Sequence, residues 1–237
     1  MILRNPLIFA INDPFRNNSF RIGLCFDSPT KDSQIYFVGS DDGIVYKCSY
    51  AYNDQHLDIF QNHDGPITKI RSSPFIDGVY LSSSSDWTVK LWTCDSYITE
   101  NSNNLSNIAE FHSSNLFDAV HDIAWSPSCS TVFALVTGDG RIEIWDLKKS
   151  CLDPILTDLG TDKGDTLERI TVLFGQADSR SHMVVTGNNE GSIEFFNIDE
   201  HCDKTRRGTA GTYSMRQNQI KMLENEISSI LKNNNYL

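Results

Sequence analysis

Few of the features that announce a chemical activity are present in this chain of 237 residues. Its six cysteines, at positions 25, 48, 94, 129, 151 and 202, include no Cys-x-x-Cys pair, so the ligand spacing of a zinc site is missing. Thiols scattered in this way fit a reducing compartment, cytosolic or ciliary. Cys25, Cys48 and Cys129 lie among strand-forming residues, where a free thiol packs as a small hydrophobe. No apolar run approaches the roughly 18 residues needed to cross a bilayer. The opening MILRNPLIFAINDPF is broken by Arg4, Asn5 and Pro6 and reads as neither signal peptide nor anchor. Basic residues are scarce: 20 Lys and Arg against 31 Asp and Glu leave a net charge of −11, the wrong sign for gripping nucleic acid through its phosphates. The one basic cluster, Lys204 to Arg207, is short. GSDDG and TGDG lack the Lys-Ser/Thr that completes a phosphate loop and suit hairpin turns instead. The expectation is therefore no metal, no cofactor, no nucleic acid, no membrane and no small-molecule substrate.

What the chain does have is a repeat. Four segments align without gaps: YFVGSDDGIVYKCS from Tyr36, YLSSSSDWTVKLWT from Tyr80, FALVTGDGRIEIWD from Phe133 and VVTGNNEGSIEFFN from Val184. Their turn residues Asp42, Asp86, Asp139 and Glu190 are spaced by 44, 53 and 51 residues, the period of a repeated supersecondary unit. Ser-Pro pairs at 28–29, 73–74 and 126–127 recur in step. Alternation at Val89 and Leu91, Ile142 and Ile144, and Ile193 and Phe195 marks half-buried strands. Each unit reads as strand, turn, strand, turn, strand, with a further strand before the next, so the fold class is all-β.

Period and turn signature together resemble the WD40 repeat. The Trp-Asp dipeptide is intact at Trp145-Asp146 and degenerate at Trp92-Thr93, Phe196-Asn197 and Cys48-Ser49; His63 matches the histidine that opens a blade, and His112 is a looser candidate. The resemblance covers about residues 20 to 198 and implies four-stranded blades arranged as a β-propeller. We expect a partial propeller of about four blades over residues 1–199, a linker over 200–214, and a short amphipathic helix with a polar tail over 215–237. Asn/Ser-rich 96–107 and glycine-punctuated 157–166 read as surface loops. In the tail Ile220, Leu223, Ile227 and Ile230 form an a/d stripe too short for a free coiled coil; such a helix either packs on its own propeller or docks a partner. Closed propellers of this family usually have seven blades, and a half-propeller leaves edges and faces uncovered. The chain is accordingly expected to be the C-terminal part of a longer polypeptide, a truncated gene model, or a piece completed by another subunit.

SSSSDWTVKLW, residues 82–92, with His63 upstream, contains the ingredients of a serine hydrolase. No Gly-x-Ser-x-Gly elbow or glycine-rich donor loop accompanies them. The WD40 resemblance implies a buried hydrogen-bonded chain instead, made of His63, one serine of the run (Ser83 is assigned), Asp86 and Trp92, with Asp139 and Trp145 as the matching positions of the next blade. His121-Asp122 sits within a strand run and reads as a blade residue pair; His201-Cys202 has no metal-ligand partners at useful spacing.

Between the blades the sequence resembles the C-terminal propeller of dynein intermediate chains. Lys47-Cys48-Ser49, the Leu57-Asp58 segment leading to His63, Asp86-Trp87-Thr88-Val89-Lys90 and Ser130-Thr131-Val132-Phe133 carry this likeness, and Leu152-Asp153-Pro154 is nearer the axonemal inner-arm type. The resemblance implies a non-catalytic scaffold subunit of an axonemal dynein. Its propeller would bind the dynein heavy-chain tail alongside other intermediate and light chains. Its place would be the axoneme of a cilium or flagellum, with cytoplasm before assembly. Trp87 occupies a turn where the repeat usually carries a small or polar residue; it is either a partner anchor or a cover for the adjacent blade. Phe75 and Tyr97 are further interface candidates. A WD40 adaptor of another complex, in ubiquitin ligation or chromatin, and a hydrolase remain the alternatives.

Overall fold

Apolar residues at every second position give each sheet an apolar face that must be covered, and the repeat supplies the cover by stacking sheet on sheet. The computed structural model describes residues 8–9, 21–29, 34–51, 56–61, 63–93, 107–113, 118–158, 168–175, 183–198 and 212–234. Strand β1 (Ile8–Phe9) pairs at the edge of blade 1, whose first to fourth strands are β2 (Arg21–Asp27), β3 (Ile35–Ser40), β4 (Ile44–Ser49) and β5 (Asp58–Gln61). Blade 2 is β6 (Ile67–Ser72), β7 (Val79–Ser84), β8 (Thr88–Thr93) and β9 (Asn107–His112). Blade 3 is β10 (Val120–Trp125), β11 (Val132–Thr137), β12 (Ile142–Asp146) and β13 (Leu156–Asp158). Blade 4, among the described residues, is the three strands β14 (Arg169–Phe174), β15 (Met183–Asn188) and β16 (Ile193–Asn197). All pairings are antiparallel between sequence neighbours, and the four sheets do not close into a ring. The architecture is the expected partial propeller.

Three apolar seams hold the stack, the first two rich in aromatic side chains. Phe37, Val45 and Phe60 of blade 1 meet Ile67, Ile70, Tyr80 and Trp92 of blade 2. Leu81, Leu91 and Phe111 meet Ile123, Trp125, Phe133 and Trp145 across the second seam, and Ala134, Val136 and Ile144 meet Val172 and Val184 across the third. The repeat persists in geometry: cross-strand partners Tyr80 and Trp92 stack at 6.1 Å and 10°, and Phe133 and Trp145 at 6.1 Å and 3°.

A regularity absent from the sequence pattern links the seams. Every first strand carries a bulge at the same place, between Gly23 and Cys25, Ile67 and Lys69, Val120 and Asp122, and Arg169 and Thr171. The extra residue is turned out of the ladder. In blade 2 it is Thr68, whose hydroxyl donates to Val120 O of blade 3 at 2.6 Å. In blade 3 it is His121, whose Nδ1 lies 3.2 Å from Arg169 O of blade 4. Beside it Asp122, read from sequence as an ordinary blade residue, is buried and accepts from Thr171 Oγ1 at 2.8 Å and Val172 N at 3.1 Å. Asp27 accepts from Ser72 N in the same manner at the first seam.

The recurrent Ser-Pro pairs also find a purpose. Ser73 Oγ accepts from Phe75 N and Ile76 N, and Ser126 Oγ from Ser128 N and Cys129 N, fixing the turns between first and second strands. Across these turns lies α1 (Thr212–Asn234), which begins three residues before the expected 215. Gln219 takes a hydrogen bond from Ser130 N on its Oε1 at 2.9 Å and one from Ser130 Oγ on its carbonyl at 2.7 Å. Leu223 and Ile227 are fully buried in the seam between blades 2 and 3, with Ile230 partly buried beside them. Of the two roles open to this helix, the structure shows packing on its own propeller. Cys25, Cys48, Cys129 and Cys151 are free thiols; burial pushes that of Cys25 up to about 11, outweighing the pull of the Gly39 hydrogen bond, Lys69 and Arg71.

At Gly39 the backbone of blade 1 comes close to the side chain of Ile67 in blade 2. A Cβ there would sit 2.6 Å from Ile67 Cγ2 and 2.7 Å from Cys25 Sγ. Gly39→Ala should therefore lower stability by about 1 to 3 kcal/mol, read as a reduced urea midpoint at unchanged slope.

Candidate functional site

At the second strand of blade 2 the residues of the serine run take separate duties. Because β7 pairs Tyr80 with Trp92, the side chains of Tyr80, Ser82 and Ser84 share the face of the indole, whereas Ser83 points to the other. The hydroxyl in the histidine chain is accordingly that of Ser82, a correction to the assignment of Ser83. His63 Nδ1 lies 2.8 Å from Asp86 Oδ2, His63 Nε2 lies 2.7 Å from Ser82 Oγ, and Trp92 Nε1 donates to Ser82 Oγ at 2.8 Å. An indole can only donate and a carboxylate only accept. Nδ1–H therefore points at Asp86, Ser82 Oγ accepts from the indole, and a further hydrogen bond joins Ser82 Oγ to Nε2. Both ring nitrogens, the indole N–H and the turn carboxylate are thereby paired.

Ser83 instead shares a 2.7 Å hydrogen bond with Thr68, the bulge residue that reaches blade 3. Ser84 donates to Gly65 O at 2.9 Å and accepts from Asp86 N at 3.1 Å, closing the turn. All three hydroxyls are fully buried, so none offers surface to a substrate. Burial alone would raise the Asp86 carboxyl. Contact with His63 and hydrogen bonds from Thr88 and Asp64 N overturn that and hold it well below the usual carboxylate range.

Blade 3 solves the same problem differently. The position of Ser82 is held by Leu135, paired with Glu143. Trp145 Nε1 donates to Glu143 Oε2 at 3.2 Å, Arg141 Nη1 lies 3.6 Å from Glu143 Oε1, and Arg141 Nε lies 2.6 Å from Asp139 Oδ2. Asp139 and Trp145 are thus joined through an Arg141–Glu143 pair in place of histidine and serine. Both intermediaries are buried. Their signal was the charged alternation in GRIEIW, in a blade whose histidine, His121, lies within the first strand and not ahead of it as His63 does, and it is easily taken for a solvated edge.

The interface candidates divide. Trp87 lies in the turn between the second and third strands of blade 2, with its ring 38% exposed. Phe75 lies in the turn between the first and second strands, half-buried and at the opposite end of the blade. Tyr97 lies outside the described residues. Trp87 also has φ +71°, where Gly43, Gly140 and Gly191 take +80°, +84° and +84° at the same point of the other three turns. For a bulky side chain this left-handed conformation costs on the order of 1 to 2 kcal/mol.

Among the described residues no group of three or more His, Cys, Asp or Glu is placed to hold a metal ion, and no helix is long and apolar enough to cross a membrane. A family model described as "Dynein axonemal intermediate chain 3 WD40 domain" matches residues 33–198. The chain belongs to that family. Among similar proteins, Dynein axonemal intermediate chain 4 of Danio rerio is 36% identical over 90% of this chain and 24% of its own length. The Xenopus laevis protein of the same name is 44% identical over 56% of this chain and 17% of its own. "Dynein intermediate chain 2, ciliary" of Heliocidaris crassispina is 30% identical over 80% of this chain and 25% of its own. The chain thus spans a quarter or less of these axonemal and ciliary intermediate chains. Among solved structures, the β-propeller domain of Myceliophteria thermophila Cps50 (Swd1) superposes with TM-score 0.59 over 75% of this chain and 54% of that one at 13% identity, a likeness of fold. In this dynein intermediate-chain propeller, a chain of hydrogen bonds from Asp86 through His63 and Ser82 to Trp92 ties the turn of blade 2 to its third strand.

Ser82→Ala leaves the Trp92 N–H and His63 Nε2 without a partner and should cost about 1 to 3 kcal/mol, whereas Ser85→Ala should stay within about 0.5 kcal/mol; urea titration separates the two. The folded carboxyl of Asp86 titrates below its unfolded value near 3.9, so its contribution is complete above about pH 5 and is lost as pH falls through the folded value. The thermal advantage of the wild type over Asp86→Asn at pH 7 should shrink below about pH 4, followed as Tm against pH.

Proposed function

We propose that this chain is the propeller portion of a non-catalytic scaffold subunit of an axonemal dynein, of the inner-arm type, and that its propeller holds the tail of the dynein heavy chain. It would work in the axoneme, assemble in the cytoplasm, and act beside other intermediate and light chains. The observation that carries this reading is the family match across residues 33–198. The geometry supports it: the one constellation resembling a hydrolase triad is consumed in holding a blade, its serine hydroxyl buried and shared between imidazole and indole. A stack of rigid blades offers broad ends and rims for protein contacts, which suits a subunit that positions a motor without sharing its chemistry. No chemical step is assigned to it.

The test is affinity purification of the tagged full-length protein from ciliary extract. A dynein heavy chain should co-purify in near-stoichiometric amount, and disruption of the gene should impair beating through loss of inner arms. Recovery of ubiquitin-ligase or chromatin subunits without any heavy chain would replace this reading with that of an adaptor in those systems.

A further inference from the structure

We infer that the open face of blade 4 is a self-association surface, on which a second copy of this chain seats the same face about a twofold axis. Contact between copies is separate from the dynein reading and stands or falls without it.

The register defines the face. Leu173, Val185 and Phe195 lie opposite one another across β14, β15 and β16, as do Thr171, Gly187 and Ile193. Both rows project away from Val172 and Val184, which are buried against blade 3. Leu173, Ile193 and Phe195 each keep more than half of their surface open, with Met183 and the bulge residue Ile170 exposed beside them. In blades 1, 2 and 3 the same side of the second strand is closed by the next blade at Phe37, Leu81 and Ala134. A contiguous open apolar face of this kind marks a contact surface.

Its chemistry selects the occupant. The three strands hold two charged side chains, Arg169 and Glu194, and both stand on the covered side, paired at 2.7 Å. The open side carries none, so a basic or acidic segment finds no counter-charge there. Two copies, each of net charge −11, meet on it without setting charge against charge at the contact, the repulsion that so acidic a chain brings to association elsewhere. The other end of the stack does not supply the complement. On blade 1 the side turned away from blade 2 is closed over its second and third strands, with Val38, Ile44, Tyr46 and Cys48 buried. Neither blade 1 of this chain nor that of another copy is therefore free to receive blade 4 in the manner of the three internal seams. Among the described residues, the match for an uncharged apolar sheet is the same sheet of a second copy, the isologous contact of a twofold dimer, with the two sheets stacked about 10 Å apart as in a sandwich. Strands of six, six and five residues at about 3.3 Å per residue and about 4.8 Å apart make a face of about 200 to 300 Å². Standard interfaces bury about 800 Å² per partner, so this dimer is a weak one, with Kd on the order of 10 to 100 µM.

Sedimentation velocity of the 237-residue chain between about 1 and 300 µM is the test, since mass action fills the dimer as concentration rises. The wild type should pass from monomer to dimer across that range, and Phe195→Asp, which places an unpaired charge in the contact, should raise Kd at least about tenfold. Ile193→Ser should act in the same direction, and Leu152→Asp, at an exposed residue outside blade 4, should leave Kd unchanged. Because both blade 4 side chains are exposed in the single copy, the Tm of each variant at about 1 µM should match the wild type. Raising salt from about 0.05 to 0.5 M should hold or strengthen the dimer, as screening acts only on the repulsion between copies. A wild type that stays monomeric at the highest concentration overturns the inference, whether a further blade or another protein then proves to cover the face. So do a dimer indifferent to both blade 4 substitutions, a dimer dissolved by salt, growth beyond two copies, and a Tm loss in both variants that accounts for their lost association.

Discussion

A blade of four short strands cannot bury its own faces, and everything else in this molecule follows from that shortage. Each sheet borrows cover from the next, so Phe37, Leu81 and Ala134, one on the second strand of each of blades 1 to 3, are closed by the following blade. In blade 4, which no further blade covers among the described residues, the same row holds Leu173 and Phe195 with 55% and 66% of their surface open. Stability is therefore a property of junctions more than of blades, and the polar groups caught within the junctions decide how firmly each is made.

Those polar groups are handled by two chemistries on one backbone plan. Blade 2 threads a chain from Asp86 through the His63 imidazole and the Ser82 hydroxyl to Trp92; blade 3 threads one from Asp139 through the Arg141–Glu143 ion pair to Trp145. Both end on an indole N–H and begin at a turn carboxylate. What is constant is the demand that a buried indole and a turn aspartate be satisfied. A Ser-His-Asp set arising this way has the composition of a catalytic triad and none of its access to substrate.

The strands, the turns and the blade count were legible because alternation and the Asp-Gly turns are local signals. The identity of the hydroxyl was legible in principle, since Tyr80 opposite Trp92 fixes the parity that favours Ser82 over Ser83. Arg141 and Glu143 were not: buried ion pairs and solvated edges share one alternation, and only the neighbouring blade distinguishes them. The bulges at Leu24, Thr68, His121 and Ile170 leave no mark either, because the residue turned outward can be apolar, hydroxylic or aromatic. For the tail helix the stripe of Ile220, Leu223, Ile227 and Ile230 identified the buried face but not what would bury it. That depended on Ser130 and the seam at Ile76 and Cys151, far away in the chain.

That distance has a temporal side. Gln219 secures Ser130 across 89 residues of sequence, and Arg216 reaches Pro74 across 142. On a ribosome adding about 5 to 20 residues each second, blades 2 and 3 are complete for on the order of ten seconds before the helix that seals their ends has been made. During that interval the seam beneath Leu223 and Ile227 lies open to whatever meets the nascent chain, and the helix closes it only after both blades have left the ribosome.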